Sequence, residues 1–230
     1  MNLLEGLATT RTIRRYAPET IPEEVLSQML WHATRAPSGS NRQPVRYLVL
    51  RDGPQALMAR HLLRDAAREA WGQKARTDGY REASGTAPDS PKARMAATMQ
   101  HYVDHMHEAP VIVLVCLQRY RDAHPYEGAS VYPAVQNLLL AARGLGYGGA
   151  VNLWQLLVEQ ELREVLHIPE GVALSACVTL GRPAGAHGSV RRRPLHDVVF
   201  DDEWGHQASW AGDPAGTRYT HWKAPGAEPA

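Results

Sequence analysis

The chain turns through Ala36-Pro37-Ser38-Gly39-Ser40-Asn41-Arg42-Gln43-Pro44, a polar loop between a helical pattern and a β-type apolar run. Two prolines bracket the loop and restrict its backbone to extended or turn geometry, and Gly39 can adopt a positive φ. The hydroxyl, amide and guanidinium groups between the prolines can exchange hydrogen bonds with a polar ligand. The loop therefore predicts a binding site on a stiff turn, with an ordinary helix-to-strand connection as the alternative.

The patterns around this loop predict a mixed helix and strand protein. A helix opens at Pro22, because proline and the acidic residues after it suit a first turn. A buried strand is expected at 47–50, a helix from 55 to about 71, and two further buried strands at 111–116 and 173–180. The continuous apolarity of 111–116 is typical of a central strand that is covered on both faces.

A second informative stretch runs from Tyr132 to Ala150. Its first part is apolar on nearly all sides of a helix, which predicts a central helix. The segment 144–149 is rich in glycine, so it ends the helix and permits close backbone approach to a ligand. It is not a dinucleotide fingerprint, because it follows a helix instead of joining a strand to a helix.

Length and composition favour one main domain with ordinary globular character. The chain has 230 residues, of which 44% are hydrophobic and 21% charged. We expect the domain to cover 1–205, with a loose excursion at about 72–105 and a C-terminal arm at 206–230. The tail from about Asp202 onward, which leads into that arm, carries Trp204, Trp210 and Trp222; these need a surface to bury against, and a partner subunit is one candidate.

Charge and apolar patterning argue against several classes of partner. The net charge of +1 gives no reason to expect a nucleic acid or an anionic membrane. No apolar run reaches the roughly 18 to 20 residues that span a bilayer, and no export signal is evident, so we expect a cytoplasmic protein. Cys116 and Cys177 each lie in a β-type apolar run, which predicts buried thiols and no disulfide.

A cluster of histidines raises the question of a metal site. His101 and His105 would share one helix face, with His107 and Glu108 close by in sequence. A zinc protease motif would place a glutamate beside the first histidine, but Tyr102 stands there. We therefore predict a polar helix face and no metal.

Two basic segments stand out, and the first of them suggests a phosphate site. Arg11, Thr12 and Arg14 lie in one short stretch near the N-terminus, and Arg191, Arg192 and Arg193 form a run far along the chain. Arginine forks and hydroxyl donors suit a phosphate, which arginine can hold through two hydrogen bonds. The alternative for each segment is a solvated basic turn.

Taken together, these stretches resemble the FMN-dependent nitroreductase family over about residues 5–205, with a poorly matched region in the middle. The segment 11–16 is similar to the family's N-terminal Arg-Ser-x-Arg-x-aromatic motif, and 36–44 to its Ala-Pro-Ser-x-x-Asn-x-Gln-Pro loop. The central helix with its glycine turn, and the late arginine run before Pro194, resemble two further family motifs in the expected order.

The resemblance implies an α+β, three-layer fold with a mixed central β-sheet flanked by helices, built as an intertwined homodimer with two FMN sites at its interface. The residues it assigns to FMN binding fall in four groups. They are Arg11, Thr12 and Arg14 at the phosphate and ribityl chain; Arg191, Arg192 and Arg193, of which two would complete the phosphate site; Ser38, Gly39, Ser40 and Asn41 along the ring from the other subunit; and Gly148 and Gly149, whose backbone N–H groups would face the flavin.

The implied activity is a ping-pong oxidoreductase in which hydride passes from NADPH or NADH to FMN and then to an electron-poor acceptor such as a nitroaromatic or quinone. The flavin carries the redox chemistry, so no catalytic side chain is assigned. The alternatives are a flavin-dependent oxidase or dehydrogenase on a specialised metabolite, a flavin-consuming enzyme, and a flavin-binding module without turnover.

The chain also departs from the family pattern. Val45 stands where an aromatic residue is common, and Thr10 where many relatives carry arginine. Asn152, Trp154 and Gln155 are candidates for shaping the acceptor pocket. These differences bear on the substrate more than on the cofactor.

Overall fold

The fold was examined in a computed structural model, which describes residues 1–80, 82, 87, 89–185, 190 and 192–215. Contacts divide the chain into two compact units. The larger comprises Met1 and Thr10–Gly185, and the smaller comprises Asn2–Thr9 and Ala186–Ala230. The proposed boundary near residue 205 stays a prediction.

Four strands of the larger unit form one sheet in the order β1-β2-β4-β3. The strands are β1 (Val45–Leu50), β2 (Val111–Gln118), β3 (Gly148–Asn152) and β4 (Val172–Gly181). Helices cover both faces of this sheet, so the α+β, three-layer class predicted from the sequence is confirmed. These helices are α2 (Glu23–Ala33), α3 (Pro54–Thr77), α4 (Pro91–His105), α5 (Gly128–Gly144) and α6 (Glu159–Leu166).

Alternation along β2 explains the two covered faces. Val111, Val113, Val115 and Leu117 pack with α2 and α5, whereas Ile112, Leu114 and Cys116 pack with α3, α4 and α6. Successive side chains of a strand point to opposite faces, so an unbroken apolar run needs two covering layers. Both cysteines are buried free thiols, and burial raises the pKa of Cys116 to about 11 and that of Cys177 to about 12.

The expected mixed sheet is antiparallel at every pairing between the described strands. β2 and β3 run in the same direction, as a strand–helix–strand connection through α5 requires. However, β4 lies between them, so no two parallel strands are neighbours. The helices α3 and α4 connect β1 to β2. The chain therefore starts β2 at the same end of the sheet at which β1 ends, and the two strands pair antiparallel.

The stretch predicted as a loose excursion holds more regular structure than its composition suggests. Helix α3 continues to Thr77, and α4 begins at Pro91. Ser90 caps α4, because its hydroxyl accepts from the N–H of Ala93 at 3.0 Å. Tyr102 and Val103 then bury one side of α4 in the core. Residues 81, 83–86 and 88, in the middle of the excursion, lie outside the described residues.

The smaller unit contains a short helix, α1 (Leu3–Thr9), and the described part of the C-terminal segment. Asp201 accepts from the indole N–H of Trp210 at 3.1 Å, and the rings of Phe200 and Trp204 lie 4.9 Å apart. Trp204 remains 93% exposed. Trp222, the third tryptophan of the predicted arm, lies outside the described residues. Over the part of the chain that is described, no helix combines the length and apolarity needed to cross a membrane.

Candidate functional site

The N-terminal basic segment lies against the glycine-rich start of β3. The N–H of Ile13 donates to the carbonyl of Gly149 at 2.8 Å, and Tyr16 forms an antiparallel bridge with Pro183. Ile13 is buried, whereas Arg11 and Thr12 are exposed and Arg14 is half-buried. The structure therefore brings Arg11, Thr12 and Arg14 beside Gly148 and Gly149, five of the predicted site residues.

The two glycines make this close approach possible. A Cβ at Gly148 would lie 2.5 Å from Cγ1 of Ile13, and one at Gly149 would lie 2.6 Å from the carbonyl oxygen of Thr179. Both distances are far inside van der Waals contact, so a side chain at either position would separate the basic segment from β3 or β3 from β4. Packing alone thus requires glycine here, and the role of the two backbone N–H groups at a ligand stays a prediction.

A buried hydroxyl network holds the basic segment in place. The phenol oxygen of Tyr16 lies 2.7 Å from the Thr179 hydroxyl and donates to the carbonyl of Ile13 at 2.7 Å. The Tyr102 hydroxyl lies 2.8 Å from the same Thr179 oxygen, and the amide of Asn152 donates to Tyr102 at 3.4 Å. Burial raises the pKa of both phenols above the usual range, so they stay protonated and available as hydrogen-bond donors.

Sequence reasoning did not identify this network as part of the site. One signal was present, because Thr179 is a polar residue within the apolar run of β4. A fully buried hydroxyl requires partners, and those partners come from 77 and 163 residues earlier in the chain.

Arg14 is the most informative cation of this cluster. Arg14 is a partly buried residue and, among the residues that the structure describes, no carboxylate forms an ion pair with its guanidinium. Its positive charge lowers the pKa of the nearby Tyr16 and Tyr102, although the burial of both phenols outweighs this effect. A half-buried cation without an anion is costly unless a ligand supplies one, so this position suits a phosphate.

The late arginine run gives less information. Arg191 lies outside the described residues, and Arg192 and Arg193 belong to the smaller unit. Their predicted contact with the same phosphate as Arg14 therefore stays a prediction.

The loop at 36–44 lies at the opposite end of the sheet from the basic segment. The loop lies at the last residue of β2, because the N–H of Gln118 donates to the carbonyl of Pro44 at 2.9 Å. The basic segment lies near the first residue of β2, because its partner Gly149 pairs with Leu180, and Leu180 pairs with Val111. An eight-residue strand spans about 23 Å. One copy of the chain therefore does not bring Ser38, Gly39, Ser40 and Asn41 together with Arg14.

The conformation of this loop differs from the one expected. The residues with positive φ are Ser40 (52°), Asn41 (51°) and Gln43 (51°), and Gly39 is not among them. Left-handed geometry strains residues that carry a Cβ, by about 1–3 kcal/mol for each residue. Ser38 offsets part of this strain, because its carbonyl accepts from the N–H of Asn41 and its hydroxyl accepts from the N–H of Gln43, both at 2.9 Å.

The other sequence candidates have mainly structural surroundings. Gln155 is fully buried and donates to the carbonyl of Leu174 at 3.2 Å, while its Oε1 has no hydrogen-bond partner among the described residues, so its role in shaping an acceptor pocket stays a prediction. Trp154 packs against the core beside Tyr102. The rings of His101 and His105 lie 4.5 Å apart on α4, and the described residues contain no group of three or more potential metal ligands.

Comparison with known proteins identifies the family. The Nitroreductase family model matches residues 7–182, so the chain belongs to the nitroreductase family. A relative from Methanothermobacter thermautotrophicus, described as an NADH dehydrogenase/NAD(P)H nitroreductase, is 26% identical over 91% of this chain and 88% of its own length. Iodotyrosine deiodinase of Thermotoga neapolitana is 28% identical over 80% of this chain and 90% of its own length.

A solved structure shares both sequence and fold with the chain. It is a protein from Desulfovibrio desulfuricans, described as a nitroreductase in complex with FMN. It is 27% identical, covers 89% of this chain and 99% of its own length, and superimposes with a TM-score of 0.64. The resemblance inferred from the motifs is thereby confirmed at the level of family and fold.

Proposed function

We propose that this protein is an FMN-dependent oxidoreductase that takes hydride from NADPH or NADH and reduces an electron-poor small molecule such as a nitroaromatic or a quinone. The observation that carries the proposal is Arg14, a partly buried residue that lies beside the start of β3 without a carboxylate partner among the described residues. Membership of the nitroreductase family and the FMN held by the Desulfovibrio relative support the same cofactor.

The donors of the basic segment fit a phosphate monoester. Arg11, Thr12 and Arg14 offer guanidinium and hydroxyl donors within four residues, and Ile13 between them is anchored to Gly149. A phosphate carries up to two negative charges and accepts several hydrogen bonds, so it would satisfy Arg14, for which the described residues supply no anion. Bound there, FMN supplies the hydride-accepting and electron-donating chemistry, and the chain supplies binding and access.

The separation of the two clusters favours a homodimer. The loop 36–44 and the basic segment lie at opposite ends of the sheet, so a single copy cannot place both on one flavin. A second copy related by a two-fold axis would bring the loop of one subunit to the basic segment of the other. Two equivalent sites, each built from both subunits, would result. We propose this arrangement, and a cytoplasmic location, together with the activity.

The visible absorption spectrum of the purified protein tests the proposal. The protein, reconstituted with FMN if necessary, is titrated without oxygen with NADPH and then NADH. Flavin bands that bleach, and that return on adding a nitroaromatic or a quinone, are the expected result. Bands that persist with both donors would favour an oxidase with a different donor or a binding module, and the absence of any flavin after reconstitution would refute the proposal.

A further inference from the structure

A cavity opens at the end of β2, between the loop 36–44 and the start of α5. It has a volume of about 360 Å³. The hydroxyl of Ser130, on α5, accepts from the N–H of Gly39 at 3.3 Å, which joins the loop to the helix across its floor. Tyr120 and Tyr126 stand at the cavity with 55% and 74% of their surface exposed. Its size suits a ligand with one aromatic ring better than a whole dinucleotide.

The cavity carries an excess of positive charge. Arg42, Arg119 and Arg121 line it, and Glu127 is the one carboxylate among its lining residues. Glu127 is already committed, because its two oxygens accept from Nε and Nη2 of Arg119 at 2.8 and 2.9 Å. Within the described part of the chain, no carboxylate forms an ion pair with Arg42 or Arg121.

The two unpaired guanidinium groups are held by an aromatic ring. The guanidinium carbon of Arg42 lies 4.3 Å from the ring centre of Tyr120, and that of Arg121 lies 5.2 Å from it. A guanidinium that stacks on a ring uses its face for that contact, so its N–H donors stay available in its own plane. Stacking thus orients these arginines without satisfying their hydrogen bonds.

A neighbouring arginine shows the contrast. Arg46 follows the loop on β1, and its Nη1 donates to the carbonyls of Gln43 and Val45 at 2.9 and 3.0 Å. Its donors are therefore partly used by the protein itself. Arg42 and Arg121 have no such contact with the backbone among the described residues, and Arg121 interacts with Glu127 only at longer range, where its charge helps lower the pKa of that carboxyl.

We propose that this cavity binds the carboxylate or phosphate of a redox substrate, which Arg42 and Arg121 hold while the exposed ring of Tyr126 packs against its flat part. Paired arginines recognise planar, doubly accepting anions, and the exposed tyrosine ring offers the apolar surface that an aromatic acid needs. The identity of the ligand as a redox substrate rests on the proposed function, because the loop beside the cavity is the one assigned to the flavin ring. Two sources share this chemistry, namely the carboxylate of an aromatic electron acceptor and the phosphate of NADPH.

Calorimetric titration of the FMN-reconstituted, oxidised protein tests the site without turnover. The probes are 4-nitrobenzoate and 4-nitrobenzamide, which have nearly the same shape and differ in charge. We expect the benzoate to bind about 10-fold or more tightly, and the difference to shrink as salt is raised. Arg42→Gln and Arg121→Gln should each remove most of this preference. The matched control is Arg35→Gln, because Arg35 also stacks on an exposed ring, at 4.8 Å over Trp31, but does not line the cavity.

A second pair of probes separates the two sources of the anion. NADP⁺ and NAD⁺ differ by one phosphate, so a preference for NADP⁺ that is lost in the same two variants would assign the site to the donor. A preference for nitrobenzoate that is lost would assign it to the acceptor. Equal affinities within both pairs, or a preference that survives both arginine variants, would refute the anion site.

The proposed reductase activity is tested independently of the anion site in the same samples. Their visible spectra report whether FMN is bound and whether NADPH or NADH bleaches it. A charge preference in protein whose flavin is not bleached would keep the anion site and reject the reductase activity. A bleached flavin without any charge preference would support the reductase activity and reject the anion site.

Discussion

Arg14 shows how one unpaired side chain can indicate a ligand. Arg14 is partly buried beside Gly149 and its guanidinium has no carboxylate partner among the described residues, so the folded protein carries an electrostatic cost there. Arg15, the next residue, is exposed to solvent. The two neighbouring arginines therefore differ in what they can do.

We predict that Arg14→Ala weakens FMN binding about 10- to 100-fold while leaving the fold intact. A charge-assisted hydrogen bond to phosphate contributes about 1.5–3 kcal/mol, and its loss is the physical reason. Fluorescence titration of the apoprotein with FMN measures the affinity, and circular dichroism checks the fold. Arg15→Ala is the control and should bind FMN as the parent does. An Arg14→Ala protein with unchanged affinity would contradict the assignment.

The buried hydroxyl of Thr179 is the basis of a second prediction about a single residue. It lies within hydrogen-bond distance of Tyr102, which is buried, and of Tyr16, which is partly buried against the core. Thr179→Val keeps the shape but removes the hydroxyl, so both phenols lose a partner, and we expect a loss of about 1–3 kcal/mol in the free energy of unfolding.

Urea denaturation measures this loss. Thr179→Ser keeps the hydroxyl and removes one methyl group, which costs about 1 kcal/mol in the free energy of unfolding. We therefore expect Thr179→Ser to lose less stability than Thr179→Val. If the valine variant were as stable as the parent, the hydroxyl network would not contribute to the fold as argued.

At the scale of elements, the edge strand β3 depends on its glycines. Gly149 faces the carbonyl of Thr179 so closely that a methyl group would lie 2.6 Å from the oxygen, and the same methyl would lie 2.9 Å from Leu139. The end of the Leu139 side chain can shift, but the Thr179 carbonyl belongs to the backbone of β4 and cannot yield easily.

We predict that Gly149→Ala destabilises the protein by at least about 1–3 kcal/mol, because β3 must move away from β4. Thermal or urea unfolding tests this. Gly39→Ala is the matched control, since a Cβ there meets nothing within 4 Å and its φ is not positive. Equal losses in the two variants would show that the close approach at β3 is not what requires glycine.

The connection from β2 to α5 is held by a charge pair that responds to pH. Arg119 follows β2 and Glu127 precedes α5, and the hydrogen bond from Arg119 is the main cause that lowers the pKa of Glu127. A carboxyl whose pKa is lowered by folding stabilises the native state above its unfolded pKa of about 4.3. This stability is lost as the pH falls through the lower folded value.

We predict that Glu127→Gln lowers the free energy of unfolding at pH 7 by about 0.2–1 kcal/mol, the range of a partly exposed pair. The difference between variant and parent should shrink below pH 4, where the parent's carboxylate is protonated as well. Urea denaturation at pH 7, 5 and 3 measures this difference. A gap that stayed constant across that range would contradict the charge pair as its cause.

At the scale of the whole molecule, the two halves of the predicted site belong to opposite ends of one sheet. In the homodimer proposed on this ground, each site combines the loop of one chain with the basic segment of the other. Two different damaging substitutions can therefore be placed in two different chains of the same dimer. Arg14→Ala damages the phosphate end, and Asn41→Asp damages the loop while retaining a residue type that tolerates the left-handed φ of 51°.

We predict that mixing these two variants, after subunit exchange, restores FMN binding that neither variant shows alone. Each mixed dimer would contain one intact site, formed by Arg14 of one chain and Asn41 of the other. FMN fluorescence of the mixture measures the recovery, and each variant mixed with itself is the control. No recovery in dimers shown to be mixed by mass spectrometry would refute a site shared between subunits.

The sequence by itself determined the elements and the family. The unbroken apolar runs of β2 and β4 required a sheet covered on both faces, and the polar loop and basic segment were recognisable from residues close together in the chain. The polar helix face at His101 and His105 was predicted, but the N-terminal part of α4 was missed, because it is charged and weakly periodic and the two buried residues of the helix, Tyr102 and Val103, lie near its end.

Only the tertiary structure decided how distant segments meet. Tyr16 and Thr179 are 163 residues apart, and their contact depends on strand register and on two glycines that admit the basic segment. The same register puts the loop 36–44 at the far end of the sheet and gathers Arg42, Tyr120 and Arg121 around a cavity. Local patterns reflect the neighbours of a residue along the chain, whereas a site depends on which segments the core brings together, and that is fixed only when the whole core packs.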